Sequence, residues 1–586
     1  MMGAGAVGRA AVLGTLVCGV AVGQVATEIA VATPGVGQRM AALVTQRAAL
    51  GFSGQVVVAQ GDSILLDGAF GFADRASRRP MRRDTPLGVA SVSKQILGVA
   101  LLALVDRGAL RLQDRLGDHL DGVPAEKADI TLEQILTHRA GLRGGHTDDF
   151  ASPSREAVIA ARLADPLVGA PGEAWAYSSD GYNLLAAVVE RAAGMPYAAW
   201  LEQAVFEPAG MRHSAAWSGM PVRQAEVATA YQGIRATGAP QSWPLNWRVF
   251  GGGDVFSTAA DLAAFDRALR NGDLLGPATR GIALRPLAPI NDEESYGAGL
   301  FFLEDPELGP VIEHGGDTEL GYNAVVLRYP RRDLRLFITS NSTDAQGLSM
   351  RQWVQADLVA LATGTAETSG VPAVRVGDPD DLRTSVGEWA VGSSARLRLV
   401  TDGAYLWAMA EGQDAVALFA AAAEPDTAAR ALASTERLLR GLSDRIPGAY
   451  ATALTPEGAE WVPAFEEEWD DLRTRFGLLH RYELLGAVRD GEHVTVTARL
   501  GFRTTSLPMS FRWSDGGVRL RATQPWAPPA PILLPVGFDP GGRLVILARG
   551  GDRIAASLVP TGTGDLLLAV PGAAARRLEP RPPRGS

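Results

Sequence analysis

The sequence predicts an α+β protein. Over residues 33–362 it reads as an antiparallel sheet flanked by helices, with an inserted helical subdomain; over 381–586 it reads as a β-rich C-terminal region. Three observations predict this. Strand-like runs stand at both ends of the first part: Phe52–Ala59 and Ile64–Leu66 early, Tyr296–Leu303, Val311–Glu313, Tyr322–Tyr329 and Leu334–Ser340 late. Helical patterns fill the stretch between them. At residues 363–380 the composition turns to Thr, Gly, Pro and Val, a linker, and short strands with turns dominate beyond it. A chain of 586 residues exceeds one ordinary domain, and 47% hydrophobic with 20% charged residues describes a globular protein. A net charge of -10 with no basic cluster argues against nucleic acid as a partner.

The elements follow in order. Residues 1–32 read as a secretory signal, with Arg9 the only charge ahead of an Ala/Val/Gly-rich run. Ala30-Val31-Ala32 offers a cleavage site; Glu28 lies close to it, so a cut near Ala26 is the alternative. Export to the periplasm or cell exterior is expected, with membrane contact only if this segment stays uncleaved. The single cysteine, Cys18, lies within it, so the mature chain would hold no disulfide and no metal-thiolate site. Residues 35–50 form a helix, and a turn at Gln60–Ser63 makes a hairpin of the first two strands. Ile96–Val105 is a buried helix. Thr131 and Gln134 form a capping box for the helix running to His138, with Gly141 as its stop. Ser154 to about Ala209 is mostly helical. Gly251-Gly252-Gly253 is a flexible approach to a helix capped at Thr258. Pro330–Asp333 joins the last two strands, and Met350–Ala362 is the closing helix. Residues 424–525 read as an α+β insertion in the C-terminal region.

Chemistry concentrates at Ser91-Val92-Ser93-Lys94. A spacing of three puts Ser91 and Lys94 on one helical face. A serine hydroxyl is a poor nucleophile until a base removes its proton, and a pocketed lysine can be that base. Of 55 Lys+Arg only Lys94 and Lys127 are lysines, and arginine cannot be deprotonated in a protein, so a lysine here needs a reason. Ser93 is out of phase with Lys94. Tyr177-Ser178-Ser179 precedes a helix, and Tyr177 could carry a proton between Ser91 and a leaving group. Taken alone, a turn residue packing on that helix is the plainer account. In His314-Gly315-Gly316-Asp317 the glycines would let a substrate lie against a strand edge, with backbone N–H groups aimed at an oxyanion. Taken alone, this too is more simply a hairpin with a surface histidine. His138 reads as a cap or packing residue, and His146 with Asp148 and Asp149 as a solvated loop rather than a metal site. No serine stands in Gly-x-Ser-x-Gly, which disfavours an α/β-hydrolase elbow.

The order of these motifs carries a resemblance. With Phe52-Ser53-Gly54, Gly71–Asp74, Ile130–Leu142, Pro171–Tyr182 and Gly252–Thr258, the chain resembles the serine β-lactamase and penicillin-binding-protein superfamily, in the class C-related branch of DD-peptidases, D-amino-acid peptidases and esterases. The match runs from about Phe52 to Asn341. The resemblance implies that Ser91 forms an acyl-enzyme and that Lys94 and Tyr177 share the base and acid work, in an order left open. It implies that His314 assists charge stabilisation near the leaving group or a substrate carboxylate, and that the N–H groups of Ser91 and Asp317 form the oxyanion hole. Ser179, Gly315, Gly316 and Asp317 would contact substrate. No metal or organic cofactor is implied.

Two departures matter. Ser179 stands where the family often has Asn, offering one hydroxyl in place of an amide. His314-Gly315-Gly316 replaces Lys-Thr-Gly, removing the permanent cation and hydroxyl that hold a β-lactam carboxylate. Both favour an ester, amide or D-amino-acid peptide over a β-lactam as substrate. The substrate expected is a small molecule or peptide, with cell-wall peptides among the candidates. The other expectation is a catalytically weak relative that binds peptidoglycan-like ligands or protein partners. Residues 381–586 resemble the lipocalin-like appendage of some relatives, whose tips either shape the cleft mouth or only pack on the catalytic domain.

Overall fold

The computed structural model describes residues 27–144, 154–219, 226–243, 245–343, 349–365, 374–391, 395–411, 425–443 and, with short gaps, 466–580. A nine-stranded sheet forms its centre: β1 (Thr27–Ala32), β2 (Gly54–Gln60), β3 (Ser63–Phe70), β4 (Ala288–Pro289), β5 (Ser295–Tyr296), β6 (Phe301–Asp305), β7 (Gly309–Asp317), β8 (Asn323–Tyr329) and β9 (Leu334–Ser340). Their order is β1-β3-β2-β9-β8-β7-β6-β5-β4, antiparallel throughout. The early hairpin thus pairs with the late strands, as the α+β expectation requires.

Alternation along the strands decides what each face buries. Val57, Ala324, Val326 and Phe337 face one core, with α2 (Ser93–Asp106), α5 (Ser179–Ala193) and α6 (Ala259–Asn271). Val56, Val58, Val325, Leu327, Leu336 and Ile338 face the other, with α1 (Val36–Ala49) and α7 (Gln352–Thr363). Helix α2 is buried on every side from Ser93 to Leu104. Each leucine it buries fully, such as Leu97, Leu101 and Leu102, contributes ~1.5–3 kcal/mol. Between α2 and α5 lie α3 (Leu132–Leu136) and α4 (Arg155–Ala164). The Thr131–Gln134 capping box is present, as is the Thr258 cap of α6.

Two boundaries differ from the sequence reading. Thr27–Ala32, placed within the signal, is the edge strand β1, paired with β3. A cut behind Ala32 would strip that edge, and a cut near Ala26 would leave it whole. Gly141 has φ +65° but does not stop α3, which ends at Leu136; the left-handed residue just beyond it is His138, at φ +60°.

The C-terminal region holds two units. One is an eight-stranded antiparallel sheet: β10 (Gly387–Val391), β11 (Ala395–Thr401), β12 (Leu406–Glu411), then β17 (Ile532–Phe538), β18 (Leu544–Leu547), β19 (Ile554–Pro560), β20 (Leu566–Ala569) and β21 (Arg576–Leu578). A backbone bridge between Trp389 and Pro580 brings its ends together around a core containing Leu397, Leu399, Ile546 and Leu558. The chain leaves this sheet after β12. It then builds α8 (Pro425–Ser443) against a four-stranded sheet, β13 (Leu479–Asp490), β14 (His493–Phe502), β15 (Ser506–Ser514) and β16 (Arg519–Pro525). The turn between β11 and β12 packs on the part built around the nine-stranded sheet: Asp402 pairs with Arg75 at 2.9 Å, and Tyr405 shares a hydrogen bond with Ser53 at 3.1 Å.

Candidate active site

Ser91 sits in a single 3-10 turn, Ala90–Val92, directly ahead of α2. Ala90 adopts φ +49°, a left-handed conformation that costs a non-glycine residue roughly 1–3 kcal/mol and persists only when its surroundings impose it. The surroundings are specific. Val89 N–H donates to Val255 O at 3.0 Å, and Val255 N–H donates to Ser93 Oγ at 3.1 Å. Ser93 is therefore a buried strut, and the half-exposed hydroxyl is that of Ser91.

Lys94 is fully buried. Its Nζ donates to Ser91 Oγ at 3.1 Å, Ser179 Oγ at 3.1 Å and Gly252 O at 2.8 Å. Three ammonium hydrogens meet three neutral acceptors. If one proton leaves, two hydrogens remain for Ser179 and Gly252, and a lone pair can face Ser91. Ser179, expected against substrate, is thus a lysine partner. The other lysine, Lys127, is buried too, and its Nζ donates to Leu163 O at 2.6 Å and to Asp165 O at the end of α4. That accounts for its presence without chemistry.

The Tyr177 ring lies 4.8 Å from Lys94 Nζ. It stands in an aromatic group with Trp175, Tyr296 and Phe301, and its closest ring neighbour is His138, at 4.3 Å. Ser178 caps α5 by accepting from Gly181 N–H at 3.0 Å.

Strand β7 passes the Ser91 turn so closely that a Cβ on Gly316 would lie 2.5 Å from Val89 O and 2.6 Å from Ser91 N. This approach puts the backbone N–H groups of Ser91 and Asp317 on adjoining segments. Strand β6 pairs with β7 only as far as Glu313, so residues 314–317 have no β6 partner along that edge. The Asp317 carboxylate shares the opposite face of the strand with Gly315, where Arg351 Nη2 lies 3.3 Å from it and the Ser349 hydroxyl bonds it. The side chain of Asp317 is directed away from the serine.

His314 differs from its expected role. Its ring is buried, Nδ1 donates to Gly315 O at 2.6 Å, and Nε2 accepts from Tyr296 Oη at 3.0 Å. A carbonyl oxygen can only accept, which assigns the proton to Nδ1. Burial, reinforced by the charge of Lys94, lowers its pKa to about 3. His314 is uncharged at neutral pH and supplies no fixed cation for a carboxylate.

His138, read above as a cap or packing residue, and Asp254, which the sequence did not single out, lie beside Tyr177 and Lys94. His138 lies behind Tyr177, where a histidine just past a helix end was the only signal. Asp254 is fully buried, its Oδ1 accepting from Gly251 N–H at 2.9 Å while Oδ2 has no partner among the described residues. An acid directly behind three glycines was the available clue. The His146, Asp148 and Asp149 cluster lies outside the described residues.

A family model described as Beta-lactamase matches residues 36–360, more than half of the chain. The chain belongs to the β-lactamase family. Among proteins similar to it, penicillin-binding protein 4* of Bacillus subtilis is 28% identical over 316 residues, 50% of this chain and 69% of that protein. Esterase EstB of Burkholderia gladioli is 31% identical over 311 residues, 45% of this chain and 79% of that one. The octameric penicillin-binding protein homologue from Pyrococcus abyssi shares the fold at 17% identity, with a TM-score of 0.50 over 82% of this chain and 97% of its own. The β-lactamase fold and its serine hydrolase superfamily are the setting in which Ser91 and Lys94 stand side by side.

Proposed function

We propose that this β-lactamase-family chain is an exported serine hydrolase that cleaves an ester, amide or D-amino-acid peptide bond through an acyl-Ser91 intermediate. The observation that carries the reading is the buried Lys94 Nζ, 3.1 Å from the Ser91 hydroxyl and steadied by Ser179 and Gly252. In its neutral form the amine takes the serine proton as Oγ attacks the carbonyl. The oxyanion is received by the N–H groups of Ser91 and Asp317 on the open edge beside Gly316. Tyr177, adjacent to Lys94, gives its phenol proton to the leaving group and takes the proton held by Lys94 in its place. Water then repeats the sequence on the acyl-enzyme. A neutral His314 favours substrates without a carboxylate at that position, hence esters and amides over β-lactams. Residues ahead of Thr27 act as the export signal, with cleavage before β1.

Intact-mass measurement after a fluorophosphonate, and separately after a penicillin, tests this, with Ser91→Ala as control. The fluorophosphonate adduct is expected on the wild type and not on the variant. A penicillin adduct, if formed, is expected to be lost slowly. No adduct from either reagent would replace catalysis by a binding role.

A further inference from the structure

We propose that His138 is a positioning residue for Tyr177, clasping the backbone on both sides of it through a neutral imidazole; this rests on the reading of Tyr177 as proton carrier. The amide before the tyrosine, Ala176 N–H, donates to His138 O at 2.8 Å. The amide after it, Ser178 N–H, donates to His138 Nδ1 at 3.0 Å. Between these bonds the imidazole lies against the phenol ring, centroids 4.3 Å apart. One residue thus fixes three features of the tyrosine: both flanking peptides and the ring plane.

The local chain is distorted to make this possible. Helix α3 ends at Leu136, and His138 takes φ +60°. A packing residue would need no left-handed backbone, and any apolar side chain would fill the same volume. What the conformation adds is a carbonyl and a ring nitrogen directed at one neighbouring segment. The ring is held in turn by Tyr182, Tyr296 and Trp175, with centroids 5.1, 4.7 and 5.8 Å away.

The clasp works only with uncharged imidazole. Nδ1 accepts from Ser178, so the proton sits on Nε2, a buried atom without a partner among the described residues. A second proton would sit on Nδ1 and oppose the Ser178 N–H, donor against donor. The groups facing the ring are Lys94, His314, Tyr177, Tyr182 and Tyr296. None is a carboxylate that would pair with an imidazolium, and burial together with Lys94 and His314 keeps the ring well below the usual histidine range.

A double-mutant cycle in the full-length protein tests the proposal, read by melting temperature and by kcat and KM on a p-nitrophenyl ester. His138→Asn places an oxygen where Nδ1 lies and tolerates positive φ; it is expected to keep most of kcat. His138→Leu has similar size and no acceptor. It is expected to lower kcat on the order of 10- to 100-fold with KM little changed. In a Tyr177→Phe background the same leucine substitution is expected to cost almost nothing more. Should the leucine variant not fold, His138→Gly relieves the positive φ and serves in its place. Equal losses for Asn and Leu, additive losses with Tyr177→Phe, or unchanged kcat in a folded His138→Leu or His138→Gly would each overturn the clasp. A Tyr177→Phe variant with wild-type kcat would instead overturn the role given to Tyr177.

Discussion

Lys94 and Asp254 lie on either side of one glycine turn, the lysine bonding the Gly252 carbonyl and the acid bonding the Gly251 amide. Burial is the largest influence on Asp254 and lifts its pKa to about 7; the Gly251 and Asp254 amides and the charge of Lys94 pull in the other direction. The native state therefore holds a proton that the unfolded chain releases near pH 3.8. Its stabilisation is complete below that value and is lost as pH rises towards 7. Asp254→Asn keeps an acceptor for Gly251 and has no proton to lose. Relative to the wild type it is expected to gain ~2 kcal/mol between pH 5 and pH 7, from about 1.4 kcal/mol per unit, in urea unfolding at the two values. A constant difference between variant and wild type would refute the buried proton. His314 has the opposite sign: its pKa near 3 weakens the native state as pH falls below about 6.5. At this scale Ser91 and Lys94 were legible because they share one helical turn. His138 was not, because its partners Ala176 and Ser178 are about forty residues away, nor was Asp254, because its burial and the nearness of Lys94 come from the folded chain.

At the scale of elements, the site is a meeting of the α2 N-terminal turn and the end of β7. Gly316 is the point of contact. Gly316→Ala would set a methyl group against Val89 O, Ser91 N and the Ala90 Cβ, the last at 2.9 Å, and all belong to a turn already strained at Ala90. The strand must then withdraw from the serine. The variant is expected to fold, to label with fluorophosphonate at least ~100-fold more slowly, and to keep its far-UV circular dichroism. Labelling at the wild-type rate would show that the approach of β7 is not needed. Caps at Thr131 and Thr258 were readable because a cap is a contact between residues three apart. The full length of β7 was not. Its last residues, His314-Gly315-Gly316-Asp317, resemble a turn until pairing with Val326, Val325, Ala324 and Asn323 extends the strand through them. The end of α3 was misplaced for a related reason: the clasp on Ala176 and Ser178 coincides with a left-handed residue at position 138 rather than at the nearby glycine.

Across the whole molecule, the β-lactamase-family part and the C-terminal eight-stranded sheet share a buried contact. Arg75 and Asp402 have side chains 1% and 2% exposed, and the guanidinium also lies over the Tyr231 ring and bonds Gly233 O. Trp407 fills the space against Gly51, where a Cβ would lie 2.7 Å from the indole. Removing one partner of a buried pair leaves an unneutralised charge, at a cost of about 3–5 kcal/mol. Asp402→Ala is expected to lower the melting temperature of the β-lactamase-family part, followed by loss of fluorophosphonate labelling on heating. A β-lactamase-family part that melts as in the wild type would mean that the two units are energetically separate. Residue patterns alone specify the α+β class, the antiparallel sheet built from both ends, and the motif order shared with the family. Those properties rest on local periodicity, composition and spacing. Tertiary contacts alone show that Ser179 bonds Lys94, that the His314 ring is buried and bonded on both nitrogens, that β1 belongs to the sheet, and that His138 bonds the amides on both sides of Tyr177. Each of these depends on burial and on partners tens to hundreds of residues away, which periodicity and spacing do not encode.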